Sequence, residues 1–115
     1  MDPVAFASHR LHDPPRTVEV SLDVGVALTI GNRERVERAA LSALHSGQAV
    51  RLDFTGTRHL DAAGISLLLR LRGVAQTYGT RVMLAGVGGD SAAVLSITGV
   101  LQFFPDSDDM VEVAA

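Results

Sequence analysis

The chain has 115 residues, a formal net charge of −3 and no cysteine. That length fits one domain, and the missing thiols exclude disulfides, thiolate metal sites and cysteine nucleophiles. The acidic balance disfavours a surface for nucleic acid or anionic membrane, and an aromatic fraction of 4% argues against base-stacking readers. No apolar run nears the roughly 20 residues of a membrane span. Met1–Ala7 has no basic start and no long apolar stretch, so no secretory signal is expected and the cytoplasm is the default location.

Residues 1–16, interrupted by Pro3, Pro14 and Pro15, read as a tail, which leaves 17–115 for the domain. Val18, Val20 and Leu22 alternate with Glu19 and Ser21 and predict a half-buried strand. Asp23-Val24-Gly25 suits a turn, and Val26, Leu28 and Ile30 suggest a second strand, so the two are expected to form a hairpin. Asn32 is a candidate N-cap for a helix that carries Val36, Ala39, Ala40, Ala43 and Leu44 inward and stops at Gly47. Val50, Leu52 and Phe54 alternate with Arg51 and Asp53 in a third strand.

Thr55–His59 reads as a loop into Leu60-Asp61-Ala62-Ala63-Gly64, where a helix begins. Asp61 has the side chain of an N-cap, and Leu60 and Ile65 have the spacing of a hydrophobic staple. Leu67, Leu68, Leu69, Leu71, Val74 and Ala75 make this helix apolar around much of its circumference. Ser66, Arg70, Gly73 and Thr77 form one stripe, read as the solvent or partner face, and Gly79 closes the helix. Val82, Leu84 and Val87 give a fourth strand. Ser91 is expected to cap a short helix through Thr98 with Ala92, Val94, Leu95 and Ile97 inside and Gly99 as its stop. Leu101, Phe103 and Phe104 should return to the core, and Ser107 should cap a last helix beyond Pro105.

Catalytic and metal chemistry is weakly encoded. Gly86-Val87-Gly88-Gly89-Asp90-Ser91 has the look of a dinucleotide loop, but Ser91 stands at the third glycine position and no βαβ unit can follow, so a turn is the better reading. Asp53 at a strand end hints at an aspartyl nucleophile; a surface Asp on an alternating strand is preferred. His9, His12, His45 and His59 lack acid partners at ligand spacing, so neither metal nor other cofactor is expected.

Residues 50–104 resemble the STAS domain, the fold of bacterial anti-sigma factor antagonists. The likeness rests on Val50–Phe54 followed by Leu60–Ile65, on Leu68-Leu69-Arg70-Leu71-Arg72, on Val82–Val87, and on Ile97-Thr98-Gly99-Val100 before Phe103-Phe104-Pro105. The resemblance implies a binding protein that frees a sigma factor by engaging an anti-sigma factor, usually a serine kinase. It further implies phosphorylation of the Ser that follows the Asp of an Asp-Ser-Ser/Ala-Gly turn. Here that position is Ala62 and Ala63 follows, so the turn has no hydroxyl to modify. Family members often carry Gly-Glu-Leu-Asp where this chain has Val26-Ala27-Leu28-Thr29.

The expected fold is α/β: a single STAS-like domain whose mixed, largely parallel sheet of four to five strands is covered by helices. The expected partner face is Arg58, His59, Asp61, Ala62, Ala63, Gly64, Ser66 and Arg70, with Ala62 as a degenerate phosphosite. The expected function is an antagonist-like binding protein, not an enzyme, whose partner is an anti-sigma factor or serine-kinase-like protein. A homodimer stays open. The alternative is a STAS module without a switching role, such as a small cytoplasmic subunit of a membrane transporter or a scaffold protein. Thr55, Thr57 and Ser66 are the nearby hydroxyls that could replace the lost one.

Overall fold

The computed structural model describes residues 18–105, so the tail through Arg16, with His9 and His12, and the helix expected from Ser107 lie outside the described residues. Within them the chain runs β1 (Glu19–Asp23), β2 (Ala27–Leu28), α1 (Arg33–His45), β3 (Ala49–Asp53), β4 (His59–Leu60), α2 (Ala62–Thr77), β5 (Val82–Ala85), α3 (Gly89–Ile97) and a 3-10 turn (Val100–Phe103).

The α/β class stands, and every strand pairing among the described residues is parallel. The five strands divide, however, into a three-stranded sheet ordered β1-β3-β5 and a two-stranded ribbon of β2 and β4. The chain thus runs twice through long strand, short strand and helix. The long strands pair Val20 with Val50 and Val50 with Val82, and the short ones pair Ala27 with His59 and Leu28 with Leu60.

The expected hairpin does not form. Val24 is wholly buried, and its N–H donates to the Asp53 carbonyl at 3.0 Å, so β1 stays bound to β3 to its end. Gly25 then turns the chain at φ 91°, with its N–H on Asp23 Oδ1. Arg35 reaches back from α1 to the carbonyls of Asp23 and Val24. These bonds carry the chain away from β1, and a reversal onto β1 would have to break them.

One apolar core joins the sheet to α1 and α2. Val36, Ala40, Ala43 and Leu44 of α1 and Leu67, Leu68, Leu71 and Ala75 of α2 meet Val50, Leu52, Phe54 and Leu84. Ala39 faces solvent instead. Leu69 is also exposed, which narrows the apolar circumference expected for α2 to one broad face. α1 stops as expected at Gly47, whose φ is 82° and whose N–H donates to the Leu44 carbonyl at 2.9 Å.

Two expectations for α3 are corrected. Gly88 occupies the N-cap, and Ser91 lies inside the first turn, wholly buried, its Oγ donating to the Thr57 carbonyl at 3.2 Å. Ile97 is 85% exposed, because α3 buries the Ser91–Leu95 side and Ile97 lies two residues further round. Phe104 is buried and Leu101 packs on the core as expected. Phe103 stays partly exposed beneath the Arg72 guanidinium, 5.0 Å from its ring centroid, while Arg72 Nε donates to its carbonyl.

Candidate functional site

The end of β4 and the start of α2 are joined by Asp61. Its extended backbone makes it the N-cap, and Oδ1 accepts from the Gly64 N–H at 3.0 Å. Oδ2 accepts from the Ile30 N–H at 3.1 Å, across from the other short-strand connection. One carboxylate therefore caps α2 and ties it to the segment after β2. Those two N–H groups, Gly64 first and then Ile30, hold the Asp61 carboxyl below the usual carboxylate range.

Gly64 explains how α2 comes so close. A Cβ at this position would run into the Leu28 carbonyl oxygen of β2 and into Leu60 Cδ1 at 2.7 Å. Only a hydrogen fits there, so the glycine sets the depth at which the helix seats on the ribbon. Leu60 and Ile65, on either side of the cap, both pack on the core.

The ribbon places the remaining residues. The Val26 carbonyl accepts from Arg58 N–H at 2.7 Å and His59 N–H at 3.2 Å, so these residues extend β4 beside β2 where a plain loop was expected. Arg58, His59, Ala62, Ser66 and Arg70 are exposed, and Asp61 and Ala63 are half-buried. Gly64 is buried and lies beneath this face, so it contributes through packing and its N–H. Arg70 is held by Glu37 of α1 at 3.0 Å, and Arg33 Nη1 reaches the Ala63 carbonyl at 3.4 Å.

The neighbouring hydroxyls differ in access. Thr57 is 6% exposed and its Oγ1 donates to the Gly25 carbonyl at 2.6 Å. Thr55 is exposed, but its Oγ1 donates to Asp53 Oδ1 at 2.6 Å. Ser66 is exposed, one turn of α2 beyond Ala62.

Asp53 is engaged in a local turn. The Thr55 hydroxyl and then the Thr55 N–H lower its carboxyl from the ordinary value. The glycine-rich segment closes against the same turn. Gly86 has φ 67°, and a Cβ there would strike Thr55 Oγ1. This glycine is explained by backbone geometry and by close packing on Thr55. His45, the last residue of α1, lies with its ring centroid 4.9 Å from that of Tyr78.

The family model described as "Mlab, STAS domain" matches residues 12–111. The chain belongs to the STAS domain family. No curated relative matches it. Among solved structures, the STAS fold seen here is similar to the anti-sigma factor antagonist SpoIIAA in its unphosphorylated form. The TM-score is 0.66 at 15% identity, over 80% of this chain and 82% of that one. It is also similar to part of the murine anion transporter Slc26a9 in its inward-facing state, with TM-score 0.58 and 15% identity. That match covers 84% of this chain and only 16% of the transporter. At such identities the likeness is one of fold. Among the described residues no helix is long and apolar enough to cross a membrane.

Sequence reasoning missed Val26, Ile30 and Arg33 as neighbours of this face. The alternation of Val26, Leu28 and Ile30 pointed all three inward, and nothing local marks the bends that turn two of them out.

Proposed function

We propose that this STAS domain is an anti-sigma factor antagonist-like binding protein. Its partner is an anti-sigma factor or serine-kinase-like protein, and its contact surface is Arg58, His59 and Ala62 with the Ser66–Arg70 stripe of α2, positioned by Asp61, Ala63 and Gly64. The observation that carries the reading is the exposed Ala62 at the first position of α2, directly after the capping Asp61. A phosphate at this position would add about −1.5 to −2 charges beside that carboxylate. A methyl cannot accept one, so binding here is constitutive with respect to this turn. Catalysis is not part of the proposal: the chain acts by occupying its partner, in the cytoplasm, as one domain over 17–115.

The test takes the anti-sigma factors and serine-kinase-like proteins of the same genome, each with ATP. Wild type should bind one of them and remain unmodified at position 62, whereas Ala62→Ser should bind and acquire phosphate there. Failure of every such protein to bind defeats the reading. The transporter-subunit reading has one observation in its favour, the fold shared with a segment of Slc26a9. Co-purification with a permease and its ATPase, in place of a kinase, would select it.

A further inference from the structure

The negative charge of this chain is concentrated in one place. Residues 106–115 hold Asp106, Asp108, Asp109 and Glu112 and no basic side chain. Of the 13 acids and 10 arginines in the chain, the remaining residues keep nine acids and all ten arginines, a net charge of +1. The acidic segment begins at the edge of a cavity. Pro105, the last of the described residues, lines a concavity of about 230 Å³ together with Arg72, Gln76, Arg81, Phe103 and Phe104.

Among the described residues no carboxylate lines this cavity. Arg72 is pinned at its wall. Its Nε donates to the Phe103 carbonyl at 3.0 Å, and its guanidinium lies 5.0 Å from the Phe103 ring centroid. Arg81, immediately before β5, adds a second positive charge to the same wall. Charge and tether then select the occupant. An extended chain spans at most about 3.3–3.6 Å per residue, so Asp106–Asp109 are within reach of the cavity from Pro105. So short a tether holds their carboxylates at an effective concentration on the order of millimolar beside the two guanidiniums. Exposed ion pairs are individually weak, and the tether lets several of them act together.

We infer that the carboxylates of Asp106, Asp108 and Asp109 dock on Arg72 and Arg81, so that the segment after Pro105 closes this cavity as an ionic strap between α2 and β5. Arg72 lies ten residues beyond Ala62 along α2, about 15 Å at about 1.5 Å per residue. The strap therefore engages the far end of the helix from the proposed partner face, and its test does not depend on that reading.

Backbone order parameters of the isotope-labelled full chain read the strap directly. In low salt the Asp106–Asp109 amides should have order parameters near about 0.85, those of a rigid backbone. They should fall below about 0.6 in about 1 M sodium chloride, where the Debye length is about 3 Å. The same fall is expected at low salt in the variant carrying Arg72→Gln and Arg81→Gln. Arg38→Gln, which removes an exposed arginine paired with Glu34 on α1, should leave them ordered. Urea midpoints verify that the variants fold, and the salt arm needs no substitution. If Asp106–Asp109 are mobile in low salt, or stay ordered in high salt and in the double variant, the strap is refuted. If inorganic phosphate shifts the Arg72 Nε–H resonance while Asp106–Asp109 stay mobile, the cavity takes a free anion and the inference falls.

Discussion

Gly64→Ala and Gly73→Ala are the same chemical change in the same helix, and the structure assigns them opposite signs. At Gly73 an added methyl meets nothing within 4 Å and the position is exposed. Alanine should there stabilise the protein by about 0.5–1 kcal/mol, the helix-interior advantage over glycine. At Gly64 the methyl would collide with the Leu28 carbonyl oxygen and come within 2.7 Å of Leu60 Cδ1, against a normal carbon contact of about 3.5–4 Å. Leu60 can rotate, but the carbonyl is backbone. It belongs to the short ribbon and also accepts from the Asp61 N–H at 3.4 Å. Backing α2 away would stretch the bonds that Asp61 makes to the Leu28 carbonyl and to the Ile30 N–H. Overpacking of this kind costs about 1–3 kcal/mol. Set against a helix-propensity gain of about 1 kcal/mol, the net loss reaches about 2 kcal/mol. Urea denaturation followed by far-ultraviolet circular dichroism would measure both variants, and a gap of this size moves the thermal midpoint by several degrees. If Gly64→Ala proves as stable as Gly73→Ala, the close seating of α2 on β2 is wrong.

Leu68 and Leu69 make a similar pair in the same helix. Leu68→Ala should cost about 2–5 kcal/mol because Leu68 is wholly buried between α2 and the sheet, whereas Leu69→Ala should stay within about 0.5 kcal/mol. Equal losses in urea melts would show that the buried face of α2 is misplaced. Acid should weaken the Asp61 junction. Its carboxyl is lowered in the folded state by the Gly64 and Ile30 N–H groups, while an unfolded Asp titrates near about 3.9. The charged carboxylate therefore stabilises fully above about pH 4, and its contribution is lost as the pH falls through the lower folded value. Asp61→Asn keeps a capping oxygen but carries no titrating charge. The stability gap between it and wild type should shrink on acidification below about pH 4; a gap that stays constant to lower pH refutes the linkage.

Much of the site was legible from local chemistry. Asp61 is read as an N-cap because Asp accepts backbone N–H bonds that a helix start leaves open. The stripe through Ser66 and Arg70 follows from the helical repeat. Position 62 as Ala is visible without coordinates. The errors arose where a local preference met a distant partner. Ser91 has the chemistry of a cap, but its hydroxyl is drawn to the Thr57 carbonyl, and Gly88 takes its place. Asn32 sits at the N-cap yet makes no capping bond, because its amide is turned back to Ala27 and Thr29. Both side chains satisfy a backbone group off their own helix; the Ser91 partner lies 34 positions away, where no window along the chain reports it, while those of Asn32 lie three and five positions back in the turn before α1.

The amino-acid sequence by itself determined the α/β class, the exposed stripe of α2, the cap at Asp61 and the loss of a hydroxyl at position 62. Each depends on residue type and on spacing within one element. Tertiary structure alone decided that β1 and β2 part company, that the short strands pair with each other, and that Val26 and Ile30 are left outside. Strand pairing is settled by which backbone groups remain open once the long strands have met. Alternation records a two-residue period and not the element a strand will join. The Ile30 N–H, 31 positions from Asp61 in the chain, ties the carboxylate that caps α2 to the segment after β2, and only the folded backbone brings the two together.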